Sequence, residues 1–195
     1  MTDSAEEVRL AAVTIVTRHP DITNSSALRA KMPDLFLGRL DSGGGIAGEL
    51  STARMIQYEL MPSAPPAVEG YDIAAYYKPA REVGGDYYDF FHLSGSNLGL
   101  AVADVTGKGI PAALTMAGLK GSLSANVQSI FSISEVMYRV NNAMLTGTRV
   151  TGLIGLFYGV LNHESGRLTY VNAGHNPPVL VRRNGDTEIL DTGGL

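Results

Sequence analysis

The sequence predicts one α+β domain in which helices cover an antiparallel sheet. Three observations predict this class: strand-like segments come first, two helices are adjacent in mid-chain, and short strands joined by turns return after residue 153. With 195 residues, of which 45% are hydrophobic, the chain has enough apolar material for one core. We therefore expect a single domain preceded by some leader sequence.

The N-terminal segment, residues 1–47, has little pattern, and its role is unknown. Four of its apolar residues fit one face of a short helix: Val8, Ala11, Ala12 and Ile15. Pro20 would prevent this helix from continuing. A glycine triplet at 43–45 then predicts a flexible break.

A helix is predicted from Gly48 to Met61, before the proline at position 62. Its apolar residues form a narrow stripe with spacings of three and four: Leu50, Ala53, Ile56 and Leu60. Such a stripe suits pairing with another helix, so residues 49–60 could form a homodimer. The alternative is that the stripe packs on its own domain. We assign residues 48–67 to a linker helix and 68–195 to the main domain.

The rest of the chain predicts strands and two helices. The predicted strands are 72–77, 87–91, 98–103, 153–161, 167–172, 178–183 and 187–190. The first mid-chain helix covers 112–125, with Pro111 in its first turn, and the second runs to Gly147 with Ser134 as its cap. Asn184-Gly185 between the last two strands is a strong hairpin signal.

Composition excludes several classes of function. The chain has no cysteine, so any metal must be held by carboxylates, carbonyls, imidazole or water. A formal net charge of −4 without a basic cluster argues against nucleic-acid binding. No apolar stretch approaches the roughly 18 residues that cross a bilayer, and the acidic start differs from a signal peptide. We therefore expect a cytoplasmic protein without a membrane span.

Two acidic residues beside glycines are the candidate site residues. Asp86 follows a glycine pair at the start of a predicted strand, and Asp104 ends an apolar strand before a glycine-rich turn. A carboxylate at the end of a buried strand is costly unless a cation or hydrogen bonds compensate its charge. Two such acids favour a divalent cation site. The alternatives are that Asp104 is a turn or cap residue and that Asp89 is simply solvated.

Other catalytic patterns do not fit the sequence. Gly107-Lys108 is not part of a P-loop, because Val102 stands where that motif needs glycine. No serine lies in a Gly-x-Ser-x-Gly elbow, so catalysis by a protein nucleophile has little support. His175 lies between two predicted strands, and we predict a hydrogen-bonded turn residue rather than a metal ligand.

Four segments, in order over about residues 48 to 195, resemble one known family. They are STARMIQYELMP (51–62), YDIAAYYKPAREVGGDYYDFF (71–91), LAVADVTGKGIPAALTMAGLKG (100–121) and YVNAGHNPPVLV (170–181). Together they resemble the PPM-type (protein phosphatase 2C-like) serine/threonine phosphatases, in the branch of sporulation stage II protein E and the bacterial stress-response phosphatases. Four linked motifs are more specific than any one of them.

The resemblance implies a sandwich of antiparallel sheets flanked by helices, with two Mn²⁺ or Mg²⁺ ions between the sheets. A metal-bound water would hydrolyse phosphoserine or phosphothreonine. Asp104 would bridge the ions, the carbonyl of Val105 would ligate one, and Asp86 would be the second acid. Glu82 is a further candidate. The substrate would be a phosphorylated anti-sigma-factor antagonist, and the helix at 49–60 would dimerise and transmit a signal.

The end of the chain departs from the family pattern. In the family, further metal-binding aspartates follow the Ala-Gly-His-Asn-Pro-Pro strand, notably in a Thr-Asp-Gly motif that does not occur here before Leu195. Asp186 and Asp191 lie in the hairpin and tail. We therefore expect a fold that lacks its final strands and helix and has open sheet edges. One alternative is a catalytically inactive remnant that binds a partner or dimerises, and another is a small-molecule phosphohydrolase.

Overall fold

The computed structural model describes residues 10–17, 45–79, 81–129, 132–147, 152–182 and 184–191. The helices are α1 (Ile46–Leu60), α2 (Ile110–Val127) and α3 (Ile133–Gly147). The strands are β1 (Leu10–Thr17), β2 (Tyr71–Lys78), β3 (Tyr87–His92), β4 (Asn97–Val105), β5 (Ile154–Asn162), β6 (Arg167–Ala173), β7 (Val179–Val181) and β8 (Thr187–Ile189). Within these ranges no helix has both the length and the hydropathy to cross a membrane.

All the strand pairs are antiparallel. A central sheet has the order β3-β4-β5-β6, while β1 and β2 form a second sheet and β7 and β8 a separate hairpin. Strands that are neighbours in the chain are also neighbours in the central sheet, which makes it a meander. The predicted α+β class with an antiparallel sheet is confirmed.

Side-chain alternation gives the central sheet two faces with different partners. The face that carries Tyr87, Ala101 and Ala103, which we call the helix face, packs on α2 and α3 in the main core. The opposite face, which carries Leu98, Leu100 and Leu161, packs against side chains at the start of the second sheet: Val68, Tyr71 and Ile73. We call this the inter-sheet face. The site described below lies on it.

Residues 10–17 form a strand, so the short helix predicted around them is wrong. β1 pairs with β2 over all eight of its residues. The apolar spacing there fits a helix, but five consecutive residues, Val13 to Thr17, are β-branched and favour extended backbone. Pairing with a strand more than 50 positions away decides the outcome, and a local pattern does not contain that information.

The helices lie where the sequence predicts them, but the cap of α3 is a different serine. The amide of Glu135 donates to Oγ of Ser132 at 3.4 Å, so Ser132, and not Ser134, caps the helix. The two hydroxyl groups are 2.9 Å apart, so Ser134 supports the cap from inside the first turn.

Replacing Ser132 with alanine is expected to lower the free energy of unfolding by about 1 kcal/mol, because the first turn of α3 loses its side-chain acceptor. Ser134→Ala should lower it by less than about 0.5 kcal/mol. Urea denaturation of the two variants measures the difference. A larger loss for Ser134→Ala would show that the cap is assigned to the wrong residue.

The predicted hairpin is present at the end of the described chain. Gly185 has a φ of +90°, a conformation that glycine adopts without strain, and its amide donates to the carbonyl of Arg182 at 2.9 Å. Three apolar side chains of this hairpin are more than half exposed: Val179, Val181 and Ile189. A two-stranded hairpin alone is marginally stable in water.

Candidate metal-binding site

Asp86 and Asp104 lie directly opposite each other on neighbouring strands. The pairing of β3 with β4 extends past the start of β3, because the amide of Val105 donates to the carbonyl of Gly85 at 3.3 Å. Since that flanking pair is hydrogen-bonded, Asp86 and Asp104 form a non-hydrogen-bonded pair, in which Cα atoms are about 4.5 Å apart. Side chains that are directly opposite project from the same face, so the two carboxylates point in the same direction.

Both carboxylates belong to the inter-sheet face. Asp86 is 4% exposed, and Asp104 is partly exposed. Tyr77 of β2 lies near Asp86: burial, and next the negative charge of Asp86, raise the pKa of Tyr77 above its ordinary value. The negative charge of Asp86 is therefore directed into the space between the sheets, where the resemblance places the metal ions.

Gly85 lies in close contact with the backbone of Val105. A Cβ on Gly85 would lie 2.6 Å from that oxygen, 2.9 Å from Cβ of Val105 and 3.2 Å from Cβ of Ala112. A side chain at position 85 would therefore collide with Val105, so the close approach of the two segments requires glycine at this position. Two carboxylates together with the carbonyl of Val105 would supply oxygen donors of the kind that suits a hard divalent cation.

The set of protein ligands is small. Among the described residues, no group of three or more acidic, histidine or cysteine side chains is arranged to hold a metal ion. Glu82 and Asp191 are exposed, and Asp186 accepts a hydrogen bond from Asn184 at 2.7 Å in the hairpin turn. Most ligands of an ion at Asp86 and Asp104 would thus be water, as is common for Mg²⁺.

The turn after β4 is fixed by two hydrogen bonds to the start of β5. The amide of Thr106 donates to the carbonyl of Leu153 at 2.9 Å, and the hydroxyl of Thr106 accepts from the amide of Leu153 at 2.7 Å. Gly107 and Gly109 have φ values of +107° and +74°, which turn the chain into α2. The position of Asp104 is therefore set by both neighbouring strands.

Gln57 of α1 holds the glycine loop that precedes Asp86. Its Nε2 donates to the carbonyl of Gly84 at 2.7 Å, while its Oε1 accepts from the amide of Gly84 at 2.9 Å and from the hydroxyl of Tyr77 at 3.1 Å. Gln57 is 4% exposed. Its role cannot be predicted from the sequence, because a polar residue between apolar positions gives no periodic signal.

The apolar stripe of α1 packs only in part on its own domain. Leu60 joins the main core, whereas Ile56 is 55% exposed. Ile46, at the start of the helix, is 77% exposed. The homodimer through residues 49–60 stays a prediction.

Asp89 is a buried anchor and not a solvated side chain. It is 6% exposed, and Nζ of Lys120 lies 2.7 Å from its Oδ2, which also accepts from the hydroxyl of Tyr87 at 2.6 Å. Burial, followed by the charge of Asp89, raises the pKa of Tyr87. Asp89 is three residues from Asp86 and so lies on the helix face, where it connects β3 to α2.

His175 is a hydrogen-bonded turn residue, as predicted. The side chain of Asn172 accepts from the amide of His175 at 2.8 Å and donates to its carbonyl at 2.9 Å. Nδ1 of the ring lies 2.8 Å from the carbonyl oxygen of Asn176. Asn172 is 4% exposed, so a buried amide holds this loop.

Comparison with known sequences decides the family. A sequence model of the family described as Stage II sporulation protein E (SpoIIE) matches residues 94–195, which is slightly more than half of the chain. The chain belongs to the SpoIIE family. This membership confirms the resemblance read from the four motifs, and the matched region includes Asp104 and Val105 of the candidate site.

Curated relatives agree with membership of the SpoIIE family. The chain is 33% identical over 132 residues to phosphoserine phosphatase RsbU of Bacillus subtilis, a match that covers 68% of this chain and 39% of that protein. It is 30% identical over 174 residues to protein IcfG of Synechocystis, covering 75% of this chain and 27% of that protein. The chain thus spans well under half the length of these relatives.

Solved structures agree with the SpoIIE-family fold. The SiaA-PP2C domain of Pseudomonas aeruginosa matches 76% of this chain and 61% of that chain with a TM-score of 0.62 at 16% identity. The structure of the RsbU and RsbW domains of Rv1364c from Mycobacterium tuberculosis matches 57% of this chain and 32% of that chain, with a TM-score of 0.52 at 29% identity. The expected PP2C-like arrangement of sheets and helices is confirmed.

Proposed function

We propose that this chain carries the catalytic site of a divalent-metal-dependent protein phosphatase that hydrolyses phosphoserine or phosphothreonine. The observation that supports the proposal is the cross-strand pair of Asp86 and Asp104 on the inter-sheet face of a SpoIIE-family fold. One similar protein is named phosphoserine phosphatase, which agrees with this chemistry.

Asp86 and Asp104 would hold two Mn²⁺ or Mg²⁺ ions, with Asp104 between the ions and the carbonyl of Val105 as an additional ligand. When bound, such ions lower the pKa of water and neutralise phosphoryl oxygens. The chain supplies the placement. Opposed strands align the carboxylates, and Gly85 allows the backbone of Val105 to lie close to the start of β3. A site of this kind needs no protein nucleophile, consistent with a chain that has no cysteine.

We further propose that the substrate is a phosphorylated regulatory protein of the anti-sigma-factor antagonist type. Similarity to RsbU supports this class, and one similar structure contains RsbU and RsbW domains in the same protein. Asp104 is partly exposed, which would let a phosphorylated side chain reach the carboxylates from outside.

Asp104→Asn is expected to lower Mn²⁺-dependent hydrolysis of p-nitrophenyl phosphate and of a phosphoserine peptide by at least about a hundredfold. The amide keeps the size of the side chain but removes the charge that would hold the cation. Calorimetric titration with Mn²⁺ should show a matching loss of affinity. Asp191→Asn is the matched control, because it makes the same change at an exposed position and should leave rates within about twofold.

Equal rates for the Asp104→Asn and Asp191→Asn variants would reject the proposed function. If the unaltered chain binds Mn²⁺ and a phosphorylated partner but shows no turnover, the catalytically inactive binding module is the better description. Hydrolysis that continues at full rate in excess chelator would exclude the metal-dependent route.

A further inference from the structure

The loop after β6 places His175 over the face that carries the two carboxylates. Gly155 of β5 is paired directly with Asp104 of β4, so a Cβ on Gly155 would project from the same face about 4.5–5.5 Å from Cβ of Asp104. That Cβ would lie only 3.2 Å from Cα of His175 and 2.9 Å from the carbonyl oxygen of Gly174. The Cα of His175 is therefore within about 9 Å of Cβ of Asp104, on the inter-sheet face.

The backbone amide and carbonyl of His175 are held by another side chain and not by its own ring. Both polar atoms of the buried Asn172 side chain bond the amide and the carbonyl of His175. Gly155 leaves room for the loop to fold back over β5. Because these contacts involve only backbone atoms of His175, they would form with almost any residue at that position. The one ring contact in the turn, from Nδ1 to the carbonyl of Asn176, could also be made by an amide side chain, so it does not by itself require histidine.

One nitrogen of the His175 ring, Nε2, is the candidate for proton transfer. Nδ1 lies 2.8 Å from the carbonyl oxygen of Asn176, and a carbonyl oxygen can only accept, so Nδ1 carries a hydrogen. Nε2 is then the nitrogen at which the ring gains or loses its exchangeable proton. His175 is partly exposed, so this nitrogen is accessible to a substrate that reaches the carboxylates.

We propose that His175 is a catalytic residue that protonates the departing oxygen of the phosphoester. The inference rests on the proposed phosphatase function and adds to it a group outside the carboxylate pair. As the oxygen of a water forms its bond to phosphorus, the bond from phosphorus to serine Oγ breaks, and the proton on Nε2 passes to Oγ. The attacking water releases a proton to solvent, from which Nε2 is reprotonated. The products are a serine hydroxyl and inorganic phosphate.

The choice of substrate separates this role from a structural one. A serine alkoxide is a poor leaving group that needs a proton, whereas p-nitrophenolate is a stable anion that leaves without one. Loss of a general acid should therefore slow the phosphoserine reaction selectively. Damage to the loop, or to the carboxylate pair below it, should slow both reactions together.

The experiment compares His175→Gln with the unaltered full chain in Mn²⁺, using a phosphoserine peptide and p-nitrophenyl phosphate. Glutamine can still donate to the carbonyl of Asn176 but cannot supply a proton. We expect kcat on the peptide to fall by about a hundredfold and kcat on p-nitrophenyl phosphate to change by less than about threefold. His163→Gln is the control, because His163 follows β5 at the opposite end of the sheet, and both rates should stay unchanged.

Equal losses on the two substrates, or no loss on either, would overturn the role of His175 while leaving the phosphatase function in place. If the unaltered chain hydrolyses neither substrate, the proposed function fails and the inference fails with it. Thermal melting of the His175→Gln variant should match that of the unaltered chain. A lowered melting temperature together with equal losses would identify a purely structural residue.

Discussion

Lys120→Met is expected to lower the free energy of unfolding by about 3–5 kcal/mol, because it leaves the carboxylate of Asp89 buried without its cation. Asp89 is 8% exposed at its side chain and Lys120 is 24% exposed, so little water can replace the lost partner. The hydroxyl of Tyr87 and the amide of Phe90 would remain as donors, but neither carries a charge. Urea denaturation at neutral pH measures the loss.

Two controls separate the buried charge from simple loss of a surface ion pair. Arg139→Met removes an exposed pair with Glu135 on α3 and should cost less than about 0.5 kcal/mol. The double variant Lys120→Met with Asp89→Asn should recover much of the loss, since the carboxylate is then neutral. The assignment would be refuted if Lys120→Met cost no more than Arg139→Met.

Gln57→Ala is expected to lower the free energy of unfolding by about 2–3 kcal/mol, because the partly buried amide and carbonyl of Gly84 lose their partners together. The hydroxyl of Tyr77 loses its acceptor as well. The loop that carries Asp86 would then be less well held. We therefore expect Mn²⁺ affinity, measured by calorimetry, to fall by about 10–100-fold.

Gln128→Ala is the matched control for that variant. Gln128 is exposed, and its amide makes a single 3.3 Å hydrogen bond to the carbonyl of His92, far from the carboxylates. Its replacement should change stability by less than about 0.5 kcal/mol and leave Mn²⁺ affinity unchanged. If the two glutamine variants had the same stability and the same Mn²⁺ affinity, the hydrogen bonds between Gln57 and Gly84 would not contribute measurably to either.

Most helices and strands of this fold can be predicted from the sequence because each depends mainly on a short run of neighbouring residues. Alternation, apolar runs and turn dipeptides place the strands from β2 to β8 and all three described helices to within a few residues. The β1 strand is the exception. Its residues carry an apolar spacing that also suits a helix, and only pairing with β2 selects the extended form. A contact across so many positions cannot be read from one segment.

Only some residues of the candidate site can likewise be predicted from the sequence. Asp86 and Asp104 can be recognised in the sequence as carboxylates beside glycines at strand ends. The pairing of β3 with β4 then places them together. The roles of Gln57 and Lys120 cannot be predicted from the sequence, since a polar residue on an amphipathic helix is normally solvated. Their burial depends on what packs against each helix. The same limit explains why Asp89 could be interpreted as a solvated side chain.

Asp86 and Asp89 lie on opposite faces of the central sheet because their positions differ by three, an odd number. Each residue of a strand reverses the side on which its side chain emerges, so Asp86 and Asp89 leave the sheet in opposite directions. Deleting one residue between them would place both carboxylates on the same face of the sheet. Lys120 would then lie among apolar side chains without its partner. A substitution between the two acids keeps this alternation, whereas a change in the length of the segment does not.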